Sequence, residues 1–530
     1  MITRKANGPI APSDPSGSDG FAWQAGIVVF LIVLGAKWTL IALYGTDVPF
    51  GDQWDAEIVG LYLPSVGGEM NCARLFQAHS EHRIVATNMY NLILFWLCGD
   101  HMEPRVQVGV SSILHALWFG LIAMSLVPWL GRVARWGLLL LLLVMGAAPV
   151  GYENTLWGFQ SQIYFVLLFW LGCLFGMCFN QFLSPRWWFG VGSGLLAVFS
   201  FGPGGLVGCA VAATIGLRGW NRQRWKRGDW LTLLVAFGLV VTSLGLQPAG
   251  ARNTEFRPES VVELLEGLIK VFSWPSELLS PVGLLIWVPG LVLVLLLVFR
   301  RVTWSPLAGT AVALVVLGAA NGGAVALYRG GMVVAEGVAP RYFDILLIGL
   351  VGNFIALVSL PGSQSLTRRL ERLLMVGWLC VTIAGLTALV VRNVNDRLPF
   401  VRVMAVVQET TLLEYLETGD SSLVHGRSIW ETSYPDSARL IEILSMPGVE
   451  TVLPRILTER PEAVGVAQGS MDRPTEAGKG DRKPGSEMGD QVVASGPGRW
   501  MREVEGFGPI VFAIGLFFLI SLVWRTHRSG

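Results

Sequence analysis

Charged side chains are scarce in this chain. Asp, Glu, Lys and Arg together make up 15% of its 530 residues, whereas 52% are hydrophobic. This shortage excludes an ordinary soluble domain and also a disordered chain, because both need more charge. A polytopic membrane protein remains. The mean hydropathy of +0.55 and the 21 tryptophans, which favour the membrane interface, agree with that class.

Cysteine is also rare, with six residues in the whole chain. Most of them lie inside apolar runs, so the sequence predicts no disulfide framework. An Asn-x-Ser/Thr glycosylation sequon is absent as well. Both absences are compatible with a bacterial inner membrane. The formal net charge of +1 is uninformative, because the location of the charges matters more than their sum.

The apolar runs set the number of predicted membrane spans. The run at 187–217 is interrupted by Gly202-Pro203-Gly204-Gly205, which predicts two short helices that meet at a turn. The other runs that are long enough for a helical span start near Phe21, Arg105, Trp136, Gln160, Asp229, Val282, Pro306, Tyr342, Leu373 and Phe507.

Basic residues in the short loops orient these spans, since Lys and Arg favour the cytoplasmic side. All these basic groups lie on one side of the membrane only if segment 187–217 crosses the membrane twice and segment 84–97 does not cross it. The second segment is short and contains Asn88, Tyr90 and Asn91, so we expect a helix at the outer interface. The groups predicted to be cytoplasmic are Arg4/Lys5, Arg132/Arg135, Arg186, the basic residues at 218–227, Arg300/Arg301, Arg368/Arg369/Arg372 and Arg525/Arg528.

The resulting prediction is an all-α polytopic plasma-membrane protein with about twelve transmembrane helices and both termini cytoplasmic. Helical spacing at 407–417 and 435–444 predicts that the segment before residue 460 is folded. The predicted regions are a disordered cytoplasmic tail at 1–21, a transmembrane domain at 22–392 with an external loop at 46–104, a small external domain at 393–464, a disordered external linker at 465–506, a final span at 507–524 and a cytoplasmic tail at 525–530.

The first external loop concentrates ionisable residues in a chain that has few. An unpaired charge at the centre of a span costs about 2.5–3.5 kcal/mol, so these groups are expected at an aqueous mouth. We therefore predict the active site there. The residues concerned are Asp52, Asp55, Glu57, His79, Glu81, His82 and Arg83.

Asp52 and Asp55 are three residues apart, a spacing that places both carboxylates on one face of a helical turn. Such a pair can supply a base or bind a divalent metal; a helix cap or a solvated turn is the structural alternative. His79 and His82 can act as ligands or proton carriers, although their spacing matches no standard zinc signature. Arg83 can clamp a phosphate.

A second outer cluster contains Glu153, Asn154, Trp157 and Gln160. Carboxylate, amide and indole side chains hydrogen-bond sugar hydroxyls and stack on sugar faces. An aromatic belt with helix capping explains Trp157 equally well.

A third outer cluster contains Arg329, Glu336, Arg341 and Tyr342. Arginine on the outer side opposes the positive-inside trend, which indicates a counter-anion. That anion is either a lipid phosphate or a carboxylate of the first loop. Anionic headgroups explain the cytoplasmic basic stretch at 218–227, and nucleic acid is not expected as a partner.

The layout resembles the GT-C superfamily of membrane glycosyltransferases, whose donors are polyprenyl-phosphate-linked sugars. The features that carry the resemblance are a first span, an acidic outer loop with a histidine element, an interfacial helix and a body of many spans, over residues 20–390. The nearest branches are the protein mannosyltransferases and the aminoarabinose transferases. Two motifs depart from those branches: Asp52-x-x-Asp55 replaces adjacent acids or Asp-x-Asp, and His79-Ser-Glu-His82-Arg83 replaces His-Pro-Pro.

The resemblance implies transfer of a sugar, with inversion, from a polyprenyl-phosphate donor to a glycan, lipid or protein acceptor at the outer face. Asp52 or Asp55 would be the general base, and Arg341, Arg329 or Arg83 would meet the departing phosphate. A divalent metal is an open question.

Three other functions remain open. A polysaccharide polymerase or ligase has a similar layout. A transporter or flippase of lipid-linked glycans needs ionisable residues near span centres, and acidic residues are rare in the spans of this chain. A non-catalytic assembly protein would tolerate substitution of all the outer clusters.

Overall fold

The computed structural model describes residues 15–80, 82–247, 254–276, 280–360, 365–459 and 497–528. Within them the fold is helical, and the only β pairing is an isolated antiparallel bridge between His79 and His82. The α-helices of eight or more residues are Pro15–Tyr44, Val85–Leu97, Pro104–Leu126, Arg132–Ala147, Ser161–Phe179, Pro185–Val198, Val207–Arg222, Arg227–Gly245, Val261–Ser273, Val288–Val298, Pro306–Glu336, Phe343–Ser359, Ser365–Arg392, Leu398–Thr418, Ser437–Leu444, Pro497–Gly506 and Gly508–Arg528.

Nine helical segments of the described residues are long and apolar enough to cross a membrane. The predicted class, an all-α polytopic membrane protein, is therefore confirmed, while the count of about twelve spans stays a prediction. The two short helices predicted within 187–217 are also confirmed, as Pro185–Val198 and Val207–Arg222. A Cβ on Gly204 would lie 1.8 Å from the carbonyl oxygen of Ala197, so this turn requires glycine.

The connecting segments of the bundle helices separate into two groups, which mark the two ends of the bundle. Five connecting segments meet at one cavity and so define the cavity end: 50–52, Tyr152–Leu156, Gly202–Leu206, Pro340–Tyr342 and Asn393–Arg397. The loops with Arg132/Arg135, Arg186, the basic residues at 222–227 and Arg300/Arg301 lie at the opposite ends of the same helices.

The two terminal helices of the described chain pack closely against each other. A Cβ on Gly35 of helix Pro15–Tyr44 would lie 2.3 Å from the backbone nitrogen of Phe512. A Cβ on Gly508 would lie 2.5 Å from the backbone nitrogen of Thr39. Small residues allow such backbone approach between membrane helices.

Two predicted disordered segments are helical where the structure describes them. Helix Pro15–Tyr44 starts before the predicted boundary at residue 22; proline suits the first turn of a helix, where its missing N–H has no intrahelical partner. Residues 497–506 form a helix because Glu505 is buried against Arg105, with Arg105 Nε donating to Glu505 Oε2 at 2.6 Å. The rest of the predicted linker, 465–496, lies outside the described residues.

We call residues 398–459 the cap. Its first helix, Leu398–Thr418, continues helix Ser365–Arg392 through a π-helical turn at Asn393–Arg397. The predicted helices at 407–417 and 435–444 are confirmed, and Asp436 caps Ser437–Leu444 by accepting from the Arg439 N–H at 3.1 Å. A separate apolar core joins the cap to the first loop, with Trp54, Tyr62 and Phe95 packed against Leu412, Leu440 and Leu453.

Candidate functional site

A cavity of about 630 Å³ lies at the cavity end of the bundle. It is lined by residues from all three predicted clusters, which are far apart in sequence. The predicted site residues that line it are Asp52, His79, His82, Glu153, Trp157, Gln160, Arg329, Arg341 and Tyr342. The structure places these residues around one cavity, whereas the roles predicted for them stay predictions.

Asp52 reaches the cavity because of the glycine before it. Gly51 adopts φ +58°, a conformation that favours glycine, and its N–H donates to the Ser433 carbonyl of the cap at 2.8 Å. The carboxyl Oδ1 of Asp52 lies 3.3 Å from His79 Nε2, and the Asp52 side chain is 57% exposed. Asp52 is thus both paired and accessible to a ligand.

The electrostatic surroundings of Asp52 favour its charged form. Burial by itself opposes ionisation, but the His79 hydrogen bond and the charges of His79, His82 and Arg341 outweigh that effect and lower the pKa of Asp52. The carboxylate is therefore ionised at neutral pH and available as a base.

His82 is held at the floor of the cavity rather than left in solvent. Its Nδ1 accepts the Gly202 N–H at 3.1 Å. The ring packs on Phe201 with centroids 4.9 Å apart. The histidine element and the glycine-rich turn thus position each other.

Arg341 and Glu153 form an ion pair across the cavity wall. Arg341 Nη1 donates to Glu153 Oε2 at 3.2 Å. The guanidinium remains one-third exposed whereas the carboxylate is buried. An anion in the cavity can therefore reach Arg341 without displacing Glu153.

Arg329 lies beside the same pair. Its Nε donates to the Tyr342 hydroxyl at 3.2 Å, and its guanidinium lies 5.5 Å from the ring centroid of Phe256. These contacts fix the orientation of the planar group, and fixed guanidinium groups suit phosphate and carboxylate ligands.

Aromatic rings from three segments surround the cavity beside Asp52. Phe50 stacks on Trp157 at 4.7 Å, and Trp430 of the cap lies 5.7 Å from Phe50 and 5.2 Å from Phe400. Sugar rings stack on such surfaces. Trp430 and Phe400 were not among the predicted site residues.

Asp55 faces the cap instead of the cavity. Its Oδ1 accepts from Arg439 Nε at 3.1 Å and from Nη2 at 2.9 Å, while Oδ2 accepts from the Tyr434 hydroxyl. Asp52 lines the cavity whereas Asp55 does not; the Asp52 carbonyl accepts the Ala56 N–H at 2.8 Å, and the expectation that both carboxylates share a face stays a prediction. Asp55 therefore has a structural position.

Glu57 is buried behind the cavity wall and does not line it. Its Oε2 accepts from Gln107 Nε2 at 2.8 Å and from the Tyr62 hydroxyl at 3.0 Å. Burial raises the pKa of Glu57 to about 7, although these hydrogen bonds and His79 act in the opposite direction. Glu57 supports the first loop through these hydrogen bonds.

Of three further predicted residues, two do not line the cavity and one lies outside the residues that the structure describes. Arg83 donates from Nη1 to the Phe76 carbonyl at 2.6 Å and stays outside the cavity. Asn154 is buried, and its Nδ2 donates to the Arg341 carbonyl at 2.9 Å and to Asp344 Oδ2 at 2.8 Å. Glu81 lies outside the described residues.

Sequence reasoning missed three arginines of the cavity, Arg257, Arg392 and Arg397. A signal was present for the last two, since Arg392 and Arg397 flank Asn393-Val-Asn-Asp396 at a span end far from the basic loops.

A cluster of buried polar side chains within the spans was also not predicted from the sequence. Lys37 Nζ donates to Thr155 Oγ1 at 2.9 Å, and His115 Nε2 lies 3.5 Å from Asp344 Oδ1. Lys37, His115 and Asp344 are all buried. The three residues belong to three different spans, so no local sequence pattern links them.

A divalent metal has no evident site among the described residues, where no three His, Cys, Asp or Glu side chains converge as metal ligands. Comparisons of the chain with protein-family models, with curated proteins and with solved structures gave no match. The fold and the cavity define an α-helical polytopic membrane protein with a cavity at one end of the bundle, lined by arginines and by apolar side chains.

Proposed function

We propose that the protein transfers a sugar from a polyprenyl-phosphate donor to an acceptor within this cavity. The observation that carries the proposal is an accessible carboxylate, Asp52, in the same cavity as an excess of arginines. The charged lining residues are five arginines and three carboxylates: Arg257, Arg329, Arg341, Arg392 and Arg397, with Asp52, Glu153 and Glu336.

The arginines suit a phosphate leaving group. As the sugar departs from its donor, negative charge grows on the phosphate oxygen, and fixed cations stabilise that charge in the transition state. Arg341 and Arg329 are oriented by Glu153 and Tyr342. They are therefore the residues proposed to hold the donor phosphate.

The cavity also extends between two helices that would face lipid. Val240 and Leu244 of helix Arg227–Gly245 line it on one side, and Ala324 and Val325 of helix Pro306–Glu336 line it on the other. An apolar slot between membrane helices suits the hydrocarbon chain of a lipid-linked donor. The phosphate would then remain at the polar end.

Asp52 is the proposed general base. In an inverting transfer, one carboxylate removes the proton from the acceptor as the acceptor attacks the sugar, which accelerates the reaction by about 10²–10⁴-fold. Asp52 is exposed in the cavity, whereas both oxygens of Asp55 are occupied by the cap. The role predicted for either aspartate is therefore proposed for Asp52 alone.

The proposed side is the outer one. The basic loops lie at the ends of the helices opposite to the cavity, and such loops favour the cytoplasm. The cavity would then open to the outside, where lipid-linked donors are used after synthesis from cytoplasmic precursors.

The test is transfer of radiolabelled sugar in proteoliposomes that contain a panel of undecaprenyl-phosphate-linked hexoses and pentoses. Asp52→Asn should lower the rate of transfer by at least about 100-fold without a change in folding, because it keeps the shape and removes the base. Glu69→Gln is the matched control, since Glu69 lies in the same loop and is 70% exposed. Equal rates for Asp52→Asn and the parent protein would reject the proposal.

An ion-coupled transporter is the second candidate, and one observation favours it. Lys37, His115 and Asp344 are buried within the spans, and ionisable residues in such positions mark proton or ion pathways in transporters. Asp344→Asn would abolish proton-driven uptake of a lipid-linked glycan if this candidate were correct. Under the transferase proposal, Asp344→Asn would change the stability of the protein, and neither the parent protein nor the variant would show proton-driven uptake.

A further inference from the structure

The charges around the cavity are unevenly compensated. On one wall, Arg341 is paired with Glu153, and Arg329 is held by Tyr342 and Phe256. On the wall formed by the π-helical turn Asn393–Arg397, Arg392 and Arg397 line the cavity and are exposed. Neither of these two guanidinium groups forms an ion pair or a hydrogen bond with another described residue.

The backbone that carries these two arginines is fixed. Asn393 is buried, and its Nδ2 donates to the carbonyl oxygens of Pro149 at 2.8 Å and Val150 at 3.3 Å. A π-helical turn inside a long helix often marks a functional site. Here the turn is attached to the segment that leads into Tyr152–Leu156, which also carries Glu153.

Two exposed cations without a protein partner on one wall of the cavity are available to an anionic ligand. Like charges that line the same wall repel each other, and a bound anion offsets that repulsion. Glu153 interacts electrostatically with Arg397 as well as with Arg341, but one carboxylate cannot neutralise both walls. A second anion in the cavity would complete the charge balance.

We infer that Arg392 and Arg397 form a second anion subsite, separate from the one at Arg341 and Arg329. Its ligand is a phosphate or carboxylate group of a substrate, recognised by paired guanidinium groups. The identity of that substrate rests on the proposed function: the group is either the second phosphate of a diphosphate-linked donor or an acid group of the acceptor.

Equilibrium dialysis with radiolabelled inorganic phosphate, on the full chain in zwitterionic micelles, tests the subsite without any activity assay. The parent protein should bind two phosphates per chain. The double variant Arg392→Gln/Arg397→Gln should bind one, and Arg341→Gln should also bind one. Arg402→Gln is the matched control and should bind two, because Arg402 lies on the next turns of the same helical segment, exposed and outside the cavity.

A stoichiometry that the double variant does not change would overturn the inference, as would a value of one in the parent protein. Competition then identifies the source of the second anion. Undecaprenyl diphosphate displaces both phosphates if the donor carries the second anion, and it displaces only one if the acceptor carries it. Failure of the Asp52→Asn transfer test would reject the transferase and leave the phosphate count unaffected.

Discussion

Two charged regions of this protein adjoin the same short helix, Tyr152–Leu156, and they are built differently. Above it, the cavity exposes arginines and Asp52 with few protein partners. Below it, Lys37 and Asp344 are buried and bound through Thr155 and Asn154 of that helix. Asn154 also binds the Arg341 carbonyl, so one residue joins the two regions.

The difference separates charges that maintain the fold from charges that are available to a ligand. A buried charge needs a partner within the protein, and the removal of that partner is costly. A charge exposed in a cavity costs less free energy than a buried one, and it can bind a ligand that enters the cavity. The same distinction separates Asp55, whose oxygens are occupied by the cap, from Asp52 three residues earlier.

Lys37→Met should destabilise the protein most, by about 3–5 kcal/mol, because it removes a buried cation that interacts electrostatically with Asp344 and its hydrogen bond to Thr155. The free energy of unfolding can be measured by SDS titration in mixed micelles. Adding Asp344→Asn should recover much of the loss. Lys270→Met is the control, since Lys270 and its partner Glu266 are partly exposed, and it should cost less than about 1 kcal/mol. A Lys37→Met protein as stable as the parent would show that this cluster is not held by charge.

Glu57 should make stability depend on pH. Its folded-state pKa of about 7 lies above the ordinary value of 4.5, so the unfolded chain loses this proton first as the pH rises. Stability should fall between pH 4.5 and 7 by about 3 kcal/mol and then level off. Glu57→Gln, which keeps the hydrogen-bonding shape, should remove this part of the slope in melting temperature against pH. An unchanged slope would show that the pKa of Glu57 is not raised in the folded protein.

Asp55→Asn should weaken the attachment of the cap by about 1–2 kcal/mol, because one carboxylate binds both Arg439 and Tyr434. The pKa of Tyr434 is raised by burial and by the bond to Asp55, so the hydroxyl stays protonated as the donor. Limited proteolysis within the cap measures the effect. Glu442→Gln removes the other, more exposed partner of Arg439 and should cost less. Complete loss of sugar transfer in a folded Asp55→Asn protein would contradict the structural role.

Much of the fold could be predicted because it depends on long-range composition. Apolar runs mark the spans, and the glycines around Pro203 mark the turn between two short helices. The alternation of spans also brought Asp52, Trp157 and Arg341 to one end of the bundle, which is the arrangement that the structure shows.

The division of roles within the site could not be predicted, because it depends on local geometry and on distant partners. The spacing of Asp52 and Asp55 does not reveal that Tyr434 and Arg439 of the cap bind the Asp55 carboxylate. Lys37 and Asp344 come together only through the packing of separate spans. The two unpaired arginines of the π-helical turn were overlooked because a basic residue at a span end is common.

A cryo-EM structure with undecaprenyl phosphate bound would locate the donor site. We expect the phosphate within about 3 Å of the Arg341 or Arg329 guanidinium, with the hydrocarbon chain between helices Arg227–Gly245 and Pro306–Glu336. A phosphate bound only to the basic residues at 218–227, with the cavity empty of lipid, would contradict this expectation.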